Sequence, residues 1–294
     1  MIACLDIGGT SIKVGILDEN GEIYERDLLK VSEDVNGFIE SIVDCIEKFR
    51  KVFEIDGIAI SSPGAVDREI GIIGGASAIP YIHGPNWKEI FSEKFNLKVS
   101  IENDANCAAL AEVFNGSAKN IDDMMFIVCG TGIGGAIVHK GEIHRGKNLH
   151  GGEFGYMLME EENGEFKTLS KVGSTMAMVR KIRKIYDDDS WTGEKIFDEA
   201  ENGNEICKEV IDRFYLNLAK GIFNLQYVYD PELILLGGAI SEREDFIDRI
   251  NEKLDYLMNE VEDAKIRPVI NTCTHKKDAN LVGALSNFLK EHVR

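Results

Sequence analysis

The sequence predicts an α/β protein of two similar domains that face each other across a cleft. Three observations carry this prediction. Three strands followed by alternating helices and strands run through the first part of the chain and recur, more coarsely, from Met124 onward, as duplicated βββαβαβα units. A glycine-rich loop joins the first two strands of each copy: Gly8-Gly9-Thr10, then Gly130-Thr131-Gly132-Ile133-Gly134-Gly135. The turn Lys140-Gly141-Glu142 echoes Asn20-Gly21-Glu22. Repeated units of this size each bury an apolar face and pair as layered domains. Domain spans of 1–118 and 119–278 are expected, with a last helix, 279–294, packing back on the first domain.

The first copy opens on an apolar strand, Ile2 to Ile7, and a second strand, Ile12 to Leu17. An Asn-Gly turn leads to a third, Glu22 to Leu29. Asn36 is placed to cap a helix whose apolar stripe is Phe38, Ile39, Ile42, Val43, Ile46 and Phe49. Gly57 to Ser61 is a short buried strand ending in the turn Ser62-Pro63-Gly64. Residues 65–86 lack periodicity and read as irregular strand and loop. A helix from Trp87 to Phe95 and a strand from Lys98 to Glu102 follow. In the second copy, strands are expected at Met124 to Cys129, Ala136 to His139, Leu233 to Leu236 and Ile266 to Ile270. Helices are expected from about Glu205 to Tyr229, Asp245 to Met258 and Ala279 to Leu289.

Composition excludes several classes. The 294 residues suffice for two domains with large cores. No apolar run approaches the roughly 18 residues of a membrane span, and the N-terminus carries no basic region or cleavage site of a signal peptide. A cytoplasmic protein without membrane partners is expected. A net charge of -18 argues against nucleic acid, whose phosphates need clustered cations. It leaves ATP open, because backbone N–H groups and a cation can hold its phosphates. The six cysteines are scattered, with no C-x-x-C pair, so free thiols are expected rather than disulfides or zinc. The acidic runs Glu160-Glu161-Glu162 and Asp187-Asp188-Asp189 read as solvated loops.

The chemistry centres on Ile101 to Phe114, IENDANCAALAEVF, a buried strand end, a polar elbow and an alanine-rich helix. Asp104 at the elbow is either a general base on a rigid scaffold or a helix cap. Asp6-x-Gly8-Gly9-Thr10 turns between two strands, which rules out Rossmann and Walker loops, since both need a following helix. Gly8 and Gly9 admit a phosphate close to the backbone, and Thr10 and Lys13 can donate to it. Asp6 can meet Mg²⁺ through water. Gly130, Thr131, Gly132, Gly134 and Gly135 form a second such loop, and together the two loops would clamp a triphosphate. Gly237 and Gly238, after a buried strand, either admit a flat adenine or simply turn the chain.

DIGGTSIK, ENDANCAALAE, CGTGIGG and LILLGGAIS, in this order and spacing, resemble the ROK family of sugar kinases over essentially the whole chain. The resemblance implies an actin-like ATPase (ribonuclease H-like) fold of two α/β domains with sugar and ATP in the cleft. It implies that Asp104 is the base facing the sugar 6-hydroxyl and that Asn103 contacts neighbouring hydroxyls. Gly9, Thr10, Gly132 and Gly134 then hold phosphates with Mg²⁺, and Glu153 is the sugar-binding glutamate. Asn86 and Trp87 match a sugar-side pair, with core packing the alternative for Trp87; Pro63 and Gly64 are assigned to the sugar pocket. A homodimer is expected on the same ground, and a kinase rather than the repressor branch, since no helix-turn-helix precedes the first strand.

Three departures narrow the reading. Tyr156 stands where the family often has histidine. The zinc motif C-x-C-G-x-x-G-C is missing between Thr168 and Thr175, so no metal beyond Mg²⁺ is expected. Ser170 aligns roughly with the glutamate that closes that motif. This zinc-less pattern, with EFGYM and TMAMVRKIRK, most resembles bacterial β-glucoside kinases. Tyr156 would offer an aromatic face to the second ring of a cellobiose-type disaccharide. Glucokinase and N-acetylmannosamine kinase are the alternatives in the same reaction class, and a non-catalytic sugar- and ATP-binding regulator the alternative outside it.

Overall fold

The computed structural model describes residues 1–162 and 164–293. The chain divides into two units: 1–120 with 145–151 and 277–294, and 121–144 with 152–276.

The first unit contains β1 (Ile2–Ile7), β2 (Ser11–Leu17), β3 (Ile23–Lys30), α1 (Val35–Arg50), β4 (Gly57–Ser62), β5 (Ala65–Asp67), β6 (Ile72–Gly74), α2 (Trp87–Phe95), β7 (Lys98–Asn103) and α3 (Asp104–Asn115). Its main sheet runs β3-β2-β1-β4-β7. The hairpin half is antiparallel, while β1, β4 and β7 are parallel, as the intervening helical crossovers require. β1 and β4 are buried along their whole length, which explains why they are largely apolar. α1 and α2 cover one face, where Phe38, Ile42, Ile46, Trp87 and Phe91 are closed off from solvent. Trp87 meets Phe38 edge-on and stacks on Phe91, and its indole N–H donates to the Ile82 carbonyl at 2.8 Å.

The second unit contains β8 (Met124–Cys129), β9 (Ile133–His139), β10 (Glu142–Ile143), β11 (Leu158–Glu162), β12 (Glu165–Thr168), α4 (Leu169–Val172), α5 (Thr175–Tyr186), α6 (Gly193–Glu201), α7 (Glu205–Tyr229), β13 (Leu233–Gly237), α8 (Phe246–Glu260) and β14 (Ile270–Thr272). Its sheet, β10-β9-β8-β13-β14, repeats the order of the first. α9 (Ala279–His292) returns to the first unit and packs on α3.

Several expectations are corrected. Asp34, not Asn36, caps α1: its carboxylate accepts from the N–H groups of Asn36 and Gly37, both at 2.9 Å. The stretch 65–86 is not structureless, because β5 and β6 pair as a hairpin and Pro80–Ile82 makes a 3-10 turn. β9 begins at Ile133 rather than Ala136, so Gly134 and Gly135 sit in the ladder opposite Val128 and Ile127. The last strand is Ile270–Thr272, later than the Ile266 to Ile270 expected, and it pairs with Ile234 to Leu236. The segment between β9 and α7 forms a hairpin and three helices that periodicity does not resolve. Among the described residues, no helix is long and apolar enough to cross a membrane.

Candidate functional site

The first unit brings Asn103, Asp104 and the Pro63-Gly64 turn together at the end of β7. Asn103 caps α3, its Oδ1 accepting from the Asn106 N–H at 3.1 Å. Its Nδ2 donates to the Gly64 carbonyl and to Asp104 Oδ1, each at 3.0 Å. Asp104 Oδ1 also accepts from the Ala105 N–H at 2.8 Å. Asp104 Oδ2 has no hydrogen bond among the described residues. One oxygen is therefore fixed and the other is available to a ligand.

Burial pushes the Asp104 carboxyl up to about 6, and the negative charge of Asp6 pushes in the same direction. The Ala105 N–H and the Asn103 amide oppose them. Desolvation thus outweighs the helix N-terminus, which favours the charged form. At neutral pH the group is still mostly carboxylate, and its basicity is higher than that of a solvated aspartate.

Asp6 lies one residue before the end of β1 and is 7% exposed. Lys13 Nζ donates to its Oδ2 at 3.1 Å, and Asn280 Nδ2 to its Oδ1 at 2.9 Å. Lys13 also reaches the Lys277 carbonyl at 3.3 Å. The first turn of α9 therefore helps hold Asp6 of β1, a role that sequence reasoning misses. Its only signal is a polar Asn at the start of an apolar helix. Gly9 and Thr10 are exposed in the loop beyond Asp6, where Gly8 N–H donates to the Ser11 carbonyl at 2.9 Å.

No group of three or more His, Cys, Asp or Glu among the described residues could hold a metal alone. Mg²⁺ carried by a nucleotide needs less, one or two carboxylates beside the phosphates and water. Asp6, a hard oxygen donor beside the glycine loop, fits that requirement.

In the second unit the loop proper is Gly130-Thr131-Gly132. Gly130 N–H donates to the Gly132 carbonyl at 2.9 Å. The Gly130 carbonyl accepts from Thr175 Oγ1 at 2.7 Å and from the Met176 N–H at 3.2 Å, so the first turn of α5 backs the loop. Ser170 Oγ accepts from the Ile133 N–H at 2.9 Å, which commits this hydroxyl to holding the loop's exit.

Gly238 has φ +98°, and a Cβ there would lie 2.1 Å from the Cys129 carbonyl oxygen. Gly237 faces the Phe126 ring and Cys273. These glycines let the end of β13 close on the end of β8, which places the second and third glycine clusters side by side. The close approach they permit is to the protein's own backbone.

Glu153 and Tyr156 flank a 3-10 turn, Phe154–Tyr156; Glu153 is exposed and Tyr156 is 74% exposed. Asn86 is used locally. It caps α2, accepting from the Glu89 N–H and donating to its carboxylate, both at 3.1 Å. Trp87 is a core residue. Cys4, Cys45, Cys107, Cys129 and Cys207 are buried, and Cys273 is half-buried.

A family model described as the ROK family matches residues 2–291. The chain is 36% identical over 305 residues to a β-glucoside kinase of Listeria monocytogenes serovar 1/2a, covering 100% of this chain and 99% of that protein. It is 31% identical over 294 residues to a β-glucoside kinase of Klebsiella pneumoniae, covering 98% and 95%. A solved ROK family protein of Streptococcus pneumoniae TIGR4, in complex with sucrose, matches at a TM-score of 0.92 and 40% identity over 99% of each chain.

Proposed function

The chain belongs to the ROK family, ATP-dependent sugar kinases of the actin-like ATPase fold, and from that premise we propose that it phosphorylates the 6-hydroxyl of a glucose unit in a β-glucoside such as cellobiose. Two relatives named β-glucoside kinase support the acceptor class, and one crystallised with sucrose supports a pocket that takes a two-ring sugar. The observation that carries the chemistry is Asp104, a half-buried carboxylate with Oδ1 held by two donors and Oδ2 available.

Asp104 accepts the acceptor hydroxyl's proton on Oδ2 as the new O–P bond forms and the bond to the ADP leaving oxygen breaks. Asn103 keeps the carboxylate in register, and with Gly64 and Pro63 it lines the sugar; in the second unit Glu153 is the candidate sugar contact. In the first unit Gly8, Gly9, Thr10 and Lys13 are the candidates for phosphate contact; in the second, Gly130, Thr131, Gly132, Gly134 and Gly135 are the candidates for phosphate and Gly237 and Gly238 for adenine. Magnesium, met by Asp6 through water, would neutralise phosphate charge. Tyr156 offers its exposed ring to the second sugar. A cytoplasmic homodimer completes the reading.

A coupled assay of ADP release against glucose, cellobiose, gentiobiose and N-acetylmannosamine tests it. Cellobiose or gentiobiose should give the highest kcat/KM. Far faster turnover of glucose would overturn the β-glucoside assignment.

The activity should also have an acid limb. Only the carboxylate form of Asp104 can take a proton, so kcat should rise with pH and level off above about 6. A pH–rate profile from pH 5 to 8 checks this. A flat profile across that range would contradict the role given to Asp104.

A further inference from the structure

Glu102 is a charged residue near the end of β7 and is wholly buried. A buried carboxylate is costly unless it is paired and hydrogen-bonded. Glu102 Oε1 accepts from the Asn103 N–H and from Asn106 Nδ2, each at 2.9 Å. Its Oε2 accepts from Arg145 Nε at 2.8 Å and from Arg145 Nη2.

Arg145 roots a closed loop. The Gly151 N–H donates back to the Arg145 carbonyl at 2.8 Å, and the Leu149 N–H to the Gly146 carbonyl at 3.4 Å. Gly146 and Leu149 both have positive φ, so the loop is folded tightly on itself. The chain then runs directly into Gly152 and Glu153. One side chain thus bridges the underside of the Asn103-Asp104 elbow and the root of the loop that leads to Glu153.

We propose that Arg145 is a positioning residue for the sugar acceptor: through Glu102 it holds loop 145–151 against the elbow that carries Asp104, and affinity for sugar, not for ATP, depends on that link. The inference rests on the sugar-kinase reading above. Arginine suits the task because its two donors reach one carboxylate oxygen in a fixed geometry, whereas lysine offers a single point charge. A sugar hydroxyl tolerates little displacement of its partners, and the lost affinity should appear as KM rather than as a general loss of fold.

The experiment compares wild type, Arg145→Lys and the double variant Glu102→Gln/Arg145→Ala in the full chain. The double variant leaves no unpaired buried charge, so its Tm should stay near that of wild type. Its KM for cellobiose, or for glucose if the panel favours it, should rise about ten-fold or more. Its KM for ATP should stay within about two-fold. Arg145→Lys should fall between. Tm measured with cellobiose and no ATP should rise for wild type and rise less for both variants.

Wild-type sugar KM in a folded variant overturns the proposal. So does a parallel rise of both KM values, which would mark a merely structural pair. If the double variant does not fold, Arg145→Lys decides on the same two KM values. If wild type shows a sugar-dependent Tm but no turnover, the kinase reading fails, and the Tm response of the variants still tests the link. No sugar response of either kind removes both.

Discussion

Asp104→Asn is expected to keep the fold and sugar binding and to lose at least ~100-fold in kcat. Asparagine is nearly isosteric, and its amide oxygen can still accept from Ala105 and Asn103, so the elbow should survive. What disappears is the proton acceptor. The measurement is a steady-state assay with sugar KM read beside kcat. Turnover close to wild type would take Asp104 out of the mechanism.

The same variant carries a stability signature of opposite sign. The folded pKa of Asp104, about 6, lies above the ordinary aspartate value of 3.8. Its favourable contribution is therefore present at low pH, below the unfolded value, and is lost as pH rises through about 6. Above that, the folded chain carries a charge that burial disfavours. Asp104→Asn has no such loss, so its Tm relative to wild type should climb as pH rises from 3.8 to about 6 and level off above that. Stability withheld at the catalytic position is the usual cost of a functional group held in an environment that resists its charge.

Gly283→Ala is the second large effect, and it acts through packing. α9 lies against α3 so closely that a Cβ on Gly283 would fall 1.7 Å from the Cys107 carbonyl oxygen. Backbone cannot yield as a flexible side chain does, so the helices must separate. Overpacking of this kind costs about 1–3 kcal/mol, occasionally more. The same displacement should draw Asn280 away from Asp6, lowering activity beyond what instability explains. Gly193→Ala, where a Cβ meets nothing within 4 Å, is the control and should leave Tm and kcat unchanged. A Gly283→Ala variant as stable and active as wild type would show that α3 and α9 are not tightly packed.

Where the sequence was readable, the signal was local and periodic. β1, β4 and β8 announce themselves as apolar runs because parallel strands are covered on both faces. α1 follows from a stripe repeating at helical spacing. Errors fell where pairing overrides composition. Gly134 and Gly135 read as loop, because glycine alone says nothing about a ladder, yet β8 draws them into register. The cap of α1 moved to Asp34 because the competing residues Asp34 and Asn36 both suit a cap, and only backbone geometry chooses.

The sequence by itself determined the duplicated α/β plan, the order of the motifs and the carboxylate at the elbow, because each is written in consecutive residues whose type or spacing carries its own physical consequence. Only the tertiary structure decided which oxygen of Asp104 is free, that burial rather than the helix end sets its basicity, and that Asn280 and Arg145 reach Asp6 and Glu102 across 274 and 43 residues of chain. Such pairings arise from how distant segments fold together, and nothing in the local sequence around either partner records the other.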